Sequence, residues 1–290
     1  TRAAQLRMDR MAAQGTTTLE IKSGYGLATN AEIELLEAAK EAAASRPYEV
    51  VTTFLGAHTF PAEARGSGAA RRHYVDVVCQ EMIPRVAEQR LARFVDVFVD
   101  AHAFDREQAS RVLRTADEHG LGVKVHADQL ADDGAAALAA EFGAISADHL
   151  EHTPAAGLDA LARAGTVAVL IPGASLFLKM GRYAASREMI RRGIPVALAT
   201  DLNPGTCPCE SMPLVMQLGC LLCGLTIDEA IVASTINAAC AIGLADRVGS
   251  IEPGKRCDLL VLDAEDRRQL VYRLGSPGIH LVIAGGRVVT

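Results

Sequence analysis

The stretch GVKVHADQLADDGAAALAAEFGAISADHLEH (122–152) decides the fold. It opens on one apolar run, GVKVHA (122–127), and closes on another, AISADHL (144–150), with a helix-length segment between them. Both runs are near-continuously apolar, the pattern of strands buried on both faces of a parallel sheet. His126 stands at the end of the first and His149 at the end of the second. In a barrel of parallel strands the active site lies at the C-terminal strand ends, so a histidine there is aimed into the site.

The same strand–helix unit recurs on both sides. TTTLEIK (16–22), VVTTFLGA (50–57), FVDVFVD (94–100), TVAVLIP (166–172) and IPVALATD (194–201) read as further strands. Helical segments alternate with them, as in α/β proteins with a parallel sheet. Asp105 with Gln108, and Thr226 with Glu229, have the spacing of capping boxes. Gly120 ends the first of these helices. Thr153 before Pro154 reads as an N-cap, with Gly165 closing that helix.

Seven units are found, and a closed barrel of this type needs eight. Residues 201–246 read as loop and helix without another barrel strand. The expectation is a barrel lacking its first unit, with Thr1 as the edge of an incomplete chain. An open doubly wound sheet is the alternative, but its GxGxxG after the first strand is absent. From about Gly249 the pattern changes to short strand runs, SIEPGKRCDLLVLD and HLVIAGGRVV. These predict part of a small β domain at 249–290 beside a barrel domain at 1–248.

The 290 residues carry a net charge of -6, with 50% hydrophobic and 22% charged residues. That is the composition of an ordinary soluble enzyme. An acidic chain without basic patches is not expected to bind nucleic acid. No apolar run is long enough for a membrane span. Seven cysteines, an odd number without small-domain disulfide spacing, predict a reducing, cytoplasmic location. Cys207, Cys209, Cys220 and Cys223 lie close enough to raise a structural zinc site, but Cys220 and Cys223 suit the core face of an apolar helix better.

The strand ends supply Lys22 and the following Tyr25, then His58, Asp100, His126, His149 and Asp201. One histidine near an apolar strand is more often structural than functional; three plus an aspartate on one barrel face point to a metal-dependent hydrolase. His126 suits a divalent metal through a neutral imidazole. Asp201 suits both ligation and acceptance of a proton from metal-activated water. His149 suits hydrogen bonding to a developing oxyanion. The structural alternatives are a core histidine for His149 and an Asx turn for Asp201. The loops SGYGL (23–27) and DLNPGT (201–206) carry turn chemistry that brings backbone close to a ligand. His73, His102, His119, His152 and His280 read as solvated or structural.

The chain resembles the imidazolonepropionase family of the amidohydrolase superfamily. The stretches that carry the resemblance are KSGYGL (22–27), FLGAHTFP (54–61), VKVHADQL (123–130), ISADHLEH (145–152), VAVLIPGASLFL (167–178), ALATDLNPGTCP (197–208) and EPGKRCDLLVLD (252–263). The last alone points only to the superfamily. The resemblance implies an α/β fold with an amidohydrolase-type TIM (β/α)8 barrel and part of a small β-sandwich domain. It implies hydrolysis of the ring C–N bond of 4-imidazolone-5-propanoate to N-formimidoyl-L-glutamate, a cytoplasmic step of histidine degradation. One divalent metal ion, zinc or iron, and a small anionic imidazolone substrate go with it; a homodimer is expected from the general prevalence of dimers among such enzymes.

Carried over by position, His126 and Asp201 are the metal ligands, and Asp201, His149 and Gln129 the catalytic residues. Tyr25, His58, Gln129, Asn203, Gly205 and Thr206 contact the substrate. Gln129, a neutral amide, is better suited to orienting the ring than to moving a proton. The superfamily's HxH pair, which supplies two further ligands, has no match in this sequence; the nearest is His102 in AHAF. The family's substrate-binding Arg just after that pair has none either. With two ligands instead of four, metal affinity is expected to be low. The alternatives are a purine or pyrimidine aminohydrolase, another cyclic amidohydrolase, or a non-catalytic metal-free relative.

Overall fold

The apolar runs fold as strands. The computed structural model describes residues 1–276 and 278–289; Pro277 and Thr290, both inside the expected C-terminal β segment, lie outside the described residues. The chain divides into two compact units: Glu20–Ala44 with Val50–Thr166, and Thr1–Leu19 with Ser45–Glu49 and Val167–Thr290.

The first unit contains most of five strands: β1 (Thr18–Lys22), β2 (Glu49–Ala57), β3 (Phe94–Phe98), β4 (Gly122–Ala127) and β5 (Ser146–His149). They lie side by side in chain order. The pairs β2–β3, β3–β4 and β4–β5 are parallel. This monotonic order has no switch point, which removes the doubly wound alternative for these strands. The outward face buries Val95, Val97, Val125 and Ala147 beneath helices that contribute Val112, Leu113 and Leu138.

The register carries functional weight. Side chains at i and i+2 of a strand share a face. Asp96 pairs with Lys124, Phe98 with His126, Lys124 with Ser146, and His126 with Asp148. Glu20 and Lys22, Lys124 and His126, and Ser146 and Asp148 are each two apart. One face of the sheet therefore carries a layer of charge within otherwise apolar strands.

The second unit holds the parallel pair β6 (Val167–Leu170) and β7 (Val196–Leu198). Val167, Val169, Ala197 and Ala241 form one of its buried clusters. Residues 201–246 carry three helices, Met212–Cys223, Ile227–Ala233 and Ile236–Ala241, and no strand of the parallel sheet. The tail forms a three-stranded antiparallel sheet of β8 (Leu259–Leu262), β9 (Ile279–Ala284) and β10 (Arg287–Val288), in the order β10-β9-β8. No helix among the described residues is long and apolar enough to cross a membrane.

Two capping boxes form as the sequence predicts, at Asp105 with Gln108 and at Thr226 with Glu229. The expected cap at Thr153 does not. Pro154 occupies that position before the helix Ala155–Ala164 without a side-chain cap bond. The Thr153 hydroxyl instead donates to Asp128 Oδ2 at 2.9 Å. A charged acceptor makes a stronger hydrogen bond than a neutral one, and this outweighs the local preference.

Candidate functional site

The polar layer of the first unit is built around Lys22. Its Nζ lies 2.6 Å from Asp96 Oδ2 and 2.7 Å from Asp148 Oδ2. Lys124 Nζ lies 2.9 Å from Glu20 Oε2. Asp148 Oδ1 accepts from the Ser146 hydroxyl at 2.9 Å. Charges buried this deeply persist only when paired and hydrogen-bonded. Burial alone would raise the Asp148 carboxyl, but Lys22 and Lys124 outweigh it and hold it at about 2. Asp96 is likewise pushed up by burial and pulled further down by His126 and Lys22, to well below the carboxylate range. Burial opposes the charge on Lys22, yet Asp148, Asp96 and Glu20 hold its ammonium well above the usual lysine value.

Beside this layer runs a row of rings. Tyr25 meets His58 edge-on with centroids 5.3 Å apart, and His58 lies 6.2 Å from Phe98. Phe98 meets His126 at 6.0 Å, and His126 meets His149 at 5.2 Å. Four residues singled out in the sequence thus stand in one line, and Phe98 completes it.

His149 reaches that line by breaking the strand rule. It follows Asp148 directly, so regular pleating would turn it to the opposite face. Its φ is 80° and that of Leu150 is 72°. Left-handed backbone at non-glycine residues is costly and gathers at functional sites. Burial, then the neighbouring His126, pushes the His149 imidazole down to about 3, so it is neutral at physiological pH. His58 is lowered by the same two causes in the same order. Burial also opposes a charge on His126, but Asp96 outweighs it and raises that imidazole.

His126 Nδ1 stands 3.0 Å from Asp96 Oδ2, an ion-pair contact that misses hydrogen-bond alignment. Asp96, His126 and Asp148 bring one ligand atom each within 4.8 Å of one another. Lys22 already bridges the two carboxylates, so its ammonium takes the place a cation would have between them. With Nδ1 turned to Asp96, ligation by His126 falls to Nε2. The layer sets three carboxylates, Glu20, Asp96 and Asp148, against two ammonium groups, Lys22 and Lys124. Asp96 Oδ1 and His149 Nδ1, buried and without hydrogen-bond partners beside His126, suit a cation held there. No cysteine joins a metal-binding group among the described residues.

Asp128 ties the ends of β4 and β5. In left-handed backbone at φ 49°, its Oδ1 accepts from Ala135 N at 2.9 Å and its Oδ2 from Ala136 N at 3.3 Å and the Thr153 hydroxyl. Its carbonyl accepts from His152 N at 2.8 Å. Gln129, the next residue, is buried. Asp100, another strand-end residue, turns its carboxylate back to His102 N at 2.8 Å and shapes its own turn.

The second unit holds Asp201, Asn203, Gly205 and Thr206 in one loop. Asp201 is left-handed at φ 48°. Asn203 Nδ2 donates to the Asp201 carbonyl at 2.8 Å and to Thr206 Oγ1 at 2.9 Å, while its Oδ1 accepts from Gly205 N at 2.9 Å and Thr206 N at 2.7 Å. These amides, expected to face a ligand, are turned inward on Asn203.

The sequence reading passed over Glu20, Asp96, Lys124, Asp128 and Asp148. A signal for four of them exists: each is a charge inside an apolar strand. Phe98 carries no such mark.

A model of the Amidohydrolase family matches residues 8–289. The imidazolonepropionase of Symbiobacterium thermophilum is 47% identical over 284 residues, 98% of this chain and 66% of that protein. The imidazolonepropionase of Sphingopyxis alaskensis is 48% identical over 281 residues, 97% of this chain and 68% of that protein. The chain thus spans about two thirds of the length of these curated relatives. Among solved structures, an adenosine deaminase from Xanthomonas campestris with bound zinc superposes with a TM-score of 0.74 at 19% identity, over 98% of this chain and 68% of that one. That likeness shows a shared fold, and the family match identifies it as the amidohydrolase fold.

Proposed function

Because the chain belongs to the imidazolonepropionase family of amidohydrolases, we propose that it hydrolyses the ring C–N bond of 4-imidazolone-5-propanoate to N-formimidoyl-L-glutamate in histidine degradation. The observation that carries the reading is the row Tyr25, His58, Phe98, His126, His149. It unites four residues to which the family resemblance gives substrate, metal and intermediate-stabilising roles.

A divalent ion, zinc or iron, supplies when bound the Lewis acidity that makes water a nucleophile at neutral pH. His126 and Asp201 are the ligands assigned to it. Asp201 takes the proton of the attacking water and returns it to the departing ring nitrogen. His149, kept neutral by burial, donates a hydrogen bond to the oxyanion. Tyr25 and His58 hold the ring, Gln129 orients it, and Asn203, Gly205 and Thr206 line the product side. The protein acts as a cytoplasmic homodimer, with its catalytic domain in 1–248 and a small β domain in 249–290.

Gln129 also weakens the aminohydrolase alternative. A neutral amide cannot serve as an acid/base residue at that position. The test is ring opening by the full-length protein, loaded with zinc or iron and then stripped by chelator. Metal-dependent formation of N-formimidoyl-L-glutamate without ammonia is the expected result. A metal-loaded, folded protein that leaves the imidazolone intact overturns the assignment.

A further inference from the structure

The loop that carries Tyr25 is wrapped around one buried carboxylate. Glu32 lies in the first turn of the helix Thr29–Ala44 and is 0% exposed. Its Oε2 accepts from Gly24 N at 2.8 Å. Its Oε1 accepts from Gly26 N at 2.7 Å and Leu27 N at 2.9 Å. Three main-chain donors on both sides of Tyr25 therefore converge on a single side chain. Bonds of this charge-assisted kind are short and strong.

The glycines make the wrap possible. Gly24 has φ +115°, and a Cβ there would stand 2.7 Å from the Leu55 carbonyl oxygen. At Gly26 a Cβ would stand 2.8 Å from the backbone of Ala31 and Glu32. The fixed loop in turn faces His58, whose Nδ1 lies 3.2 Å from the Gly24 carbonyl oxygen. Tyr25 is 59% exposed, so packing alone does not hold its ring against His58.

We infer that Glu32 is a positioning residue: through the backbone of residues 24–27 it presets Tyr25 and His58 for the imidazolone ring. The inference rests on the substrate contacts proposed above for those two residues. A preset pair spares the ordering cost that a loose loop would impose on binding. Only an ionised carboxylate serves all three donors. A glutamine of nearly the same size has one acceptor atom and turns its own N–H2 toward a backbone N–H.

The 290 residues contain no tryptophan, so Tyr25→Trp adds the one indole among them. In the 290-residue chain, adding Glu32→Gln to Tyr25→Trp is expected to lower the indole anisotropy and to raise its quenching by acrylamide at unchanged far-UV circular dichroism. Glu32→Gln alone is expected to raise KM for 4-imidazolone-5-propanoate about tenfold while kcat stays within about twofold, the mark of lost uniform binding. Glu32→Asp recovers part of both effects. Should Glu32→Gln not fold, Gly26→Ala, whose methyl forces the loop off Ala31, carries the same readouts. Unchanged indole signals, or a lowered melting temperature with KM unmoved, overturn the inference. If the parent protein does not open the imidazolone ring, the proposed function fails on its own, and the indole measurement still decides whether Glu32 holds the loop.

Discussion

The charge layer around Lys22 and the loop around Asn203 both follow or line strand ends, yet they are built in opposite ways. Lys22 reaches Asp96 across 74 residues of sequence and Asp148 across 126, and Lys124 reaches Glu20 across 104. The Asn203 side chain bonds to residues two or three positions away, and its backbone N–H donates to the Cys207 carbonyl, four positions away, at 3.0 Å. The layer exists because several strands adopt one register, whereas these hydrogen bonds of Asn203 stay within residues 201–207. Damage to the layer should therefore spread through the sheet, and damage to the loop should stay where it is made.

The largest effect is expected from Lys22→Met, which leaves two buried carboxylates without their cation. Breaking a buried pair in this way costs about 3–5 kcal/mol, read from urea unfolding. A loss under about 1 kcal/mol would break the comparison at its root. The next effect concerns pH. His149 sits at about 3 in the folded chain, against an ordinary value near 6.5. The unfolded chain therefore binds the extra proton first, and stability is lost as pH falls from about 6.5 toward 3. His149→Asn should flatten the fall in melting temperature across that window; an equally steep fall in the variant would remove His149 as its source.

Asn203→Ala sharpens the other half. It removes the acceptor for two backbone N–H groups at a partly exposed site and should cost about 1 kcal/mol. Hydrogen exchange should quicken at Gly205 and Thr206 and stay unchanged along β3, β4 and β5. Faster exchange in those strands would show that the loop is not self-contained. Asp105→Ala gives the smallest effect, a local cap worth about 1 kcal/mol or less, with no change in the proposed imidazolone ring opening.

The same contrast explains what was legible. GVKVHA reads as a strand over 122–127 and folds as one over Gly122–Ala127. The capping boxes at Asp105 and Thr226 are visible because every partner lies within four residues. Tyr25, His58, His126 and His149 are visible because such residues recur at or just past the ends of successive apolar runs, a repetition that a single structural histidine would not produce. Asp96 and Asp148 were not, although FVDVF and SADH each carry a charge that burial makes expensive. Their spacing says that a partner is needed; only register says which. Phe98 looks like any core residue until the strands are aligned. Thr153 fails as a cap for the converse reason, since its partner Asp128 lies 25 residues away.

Asp128 has a consequence for exchange between relatives. Through one carboxylate and one carbonyl it fastens the segment after β4 to the turn after β5. The two connections do not form separate modules. A graft of residues 128–136 that brings no carboxylate to position 128 loses the bonds to Ala135 N, Ala136 N and the Thr153 hydroxyl together, so loop exchange at β4 is also an intervention at the turn after β5.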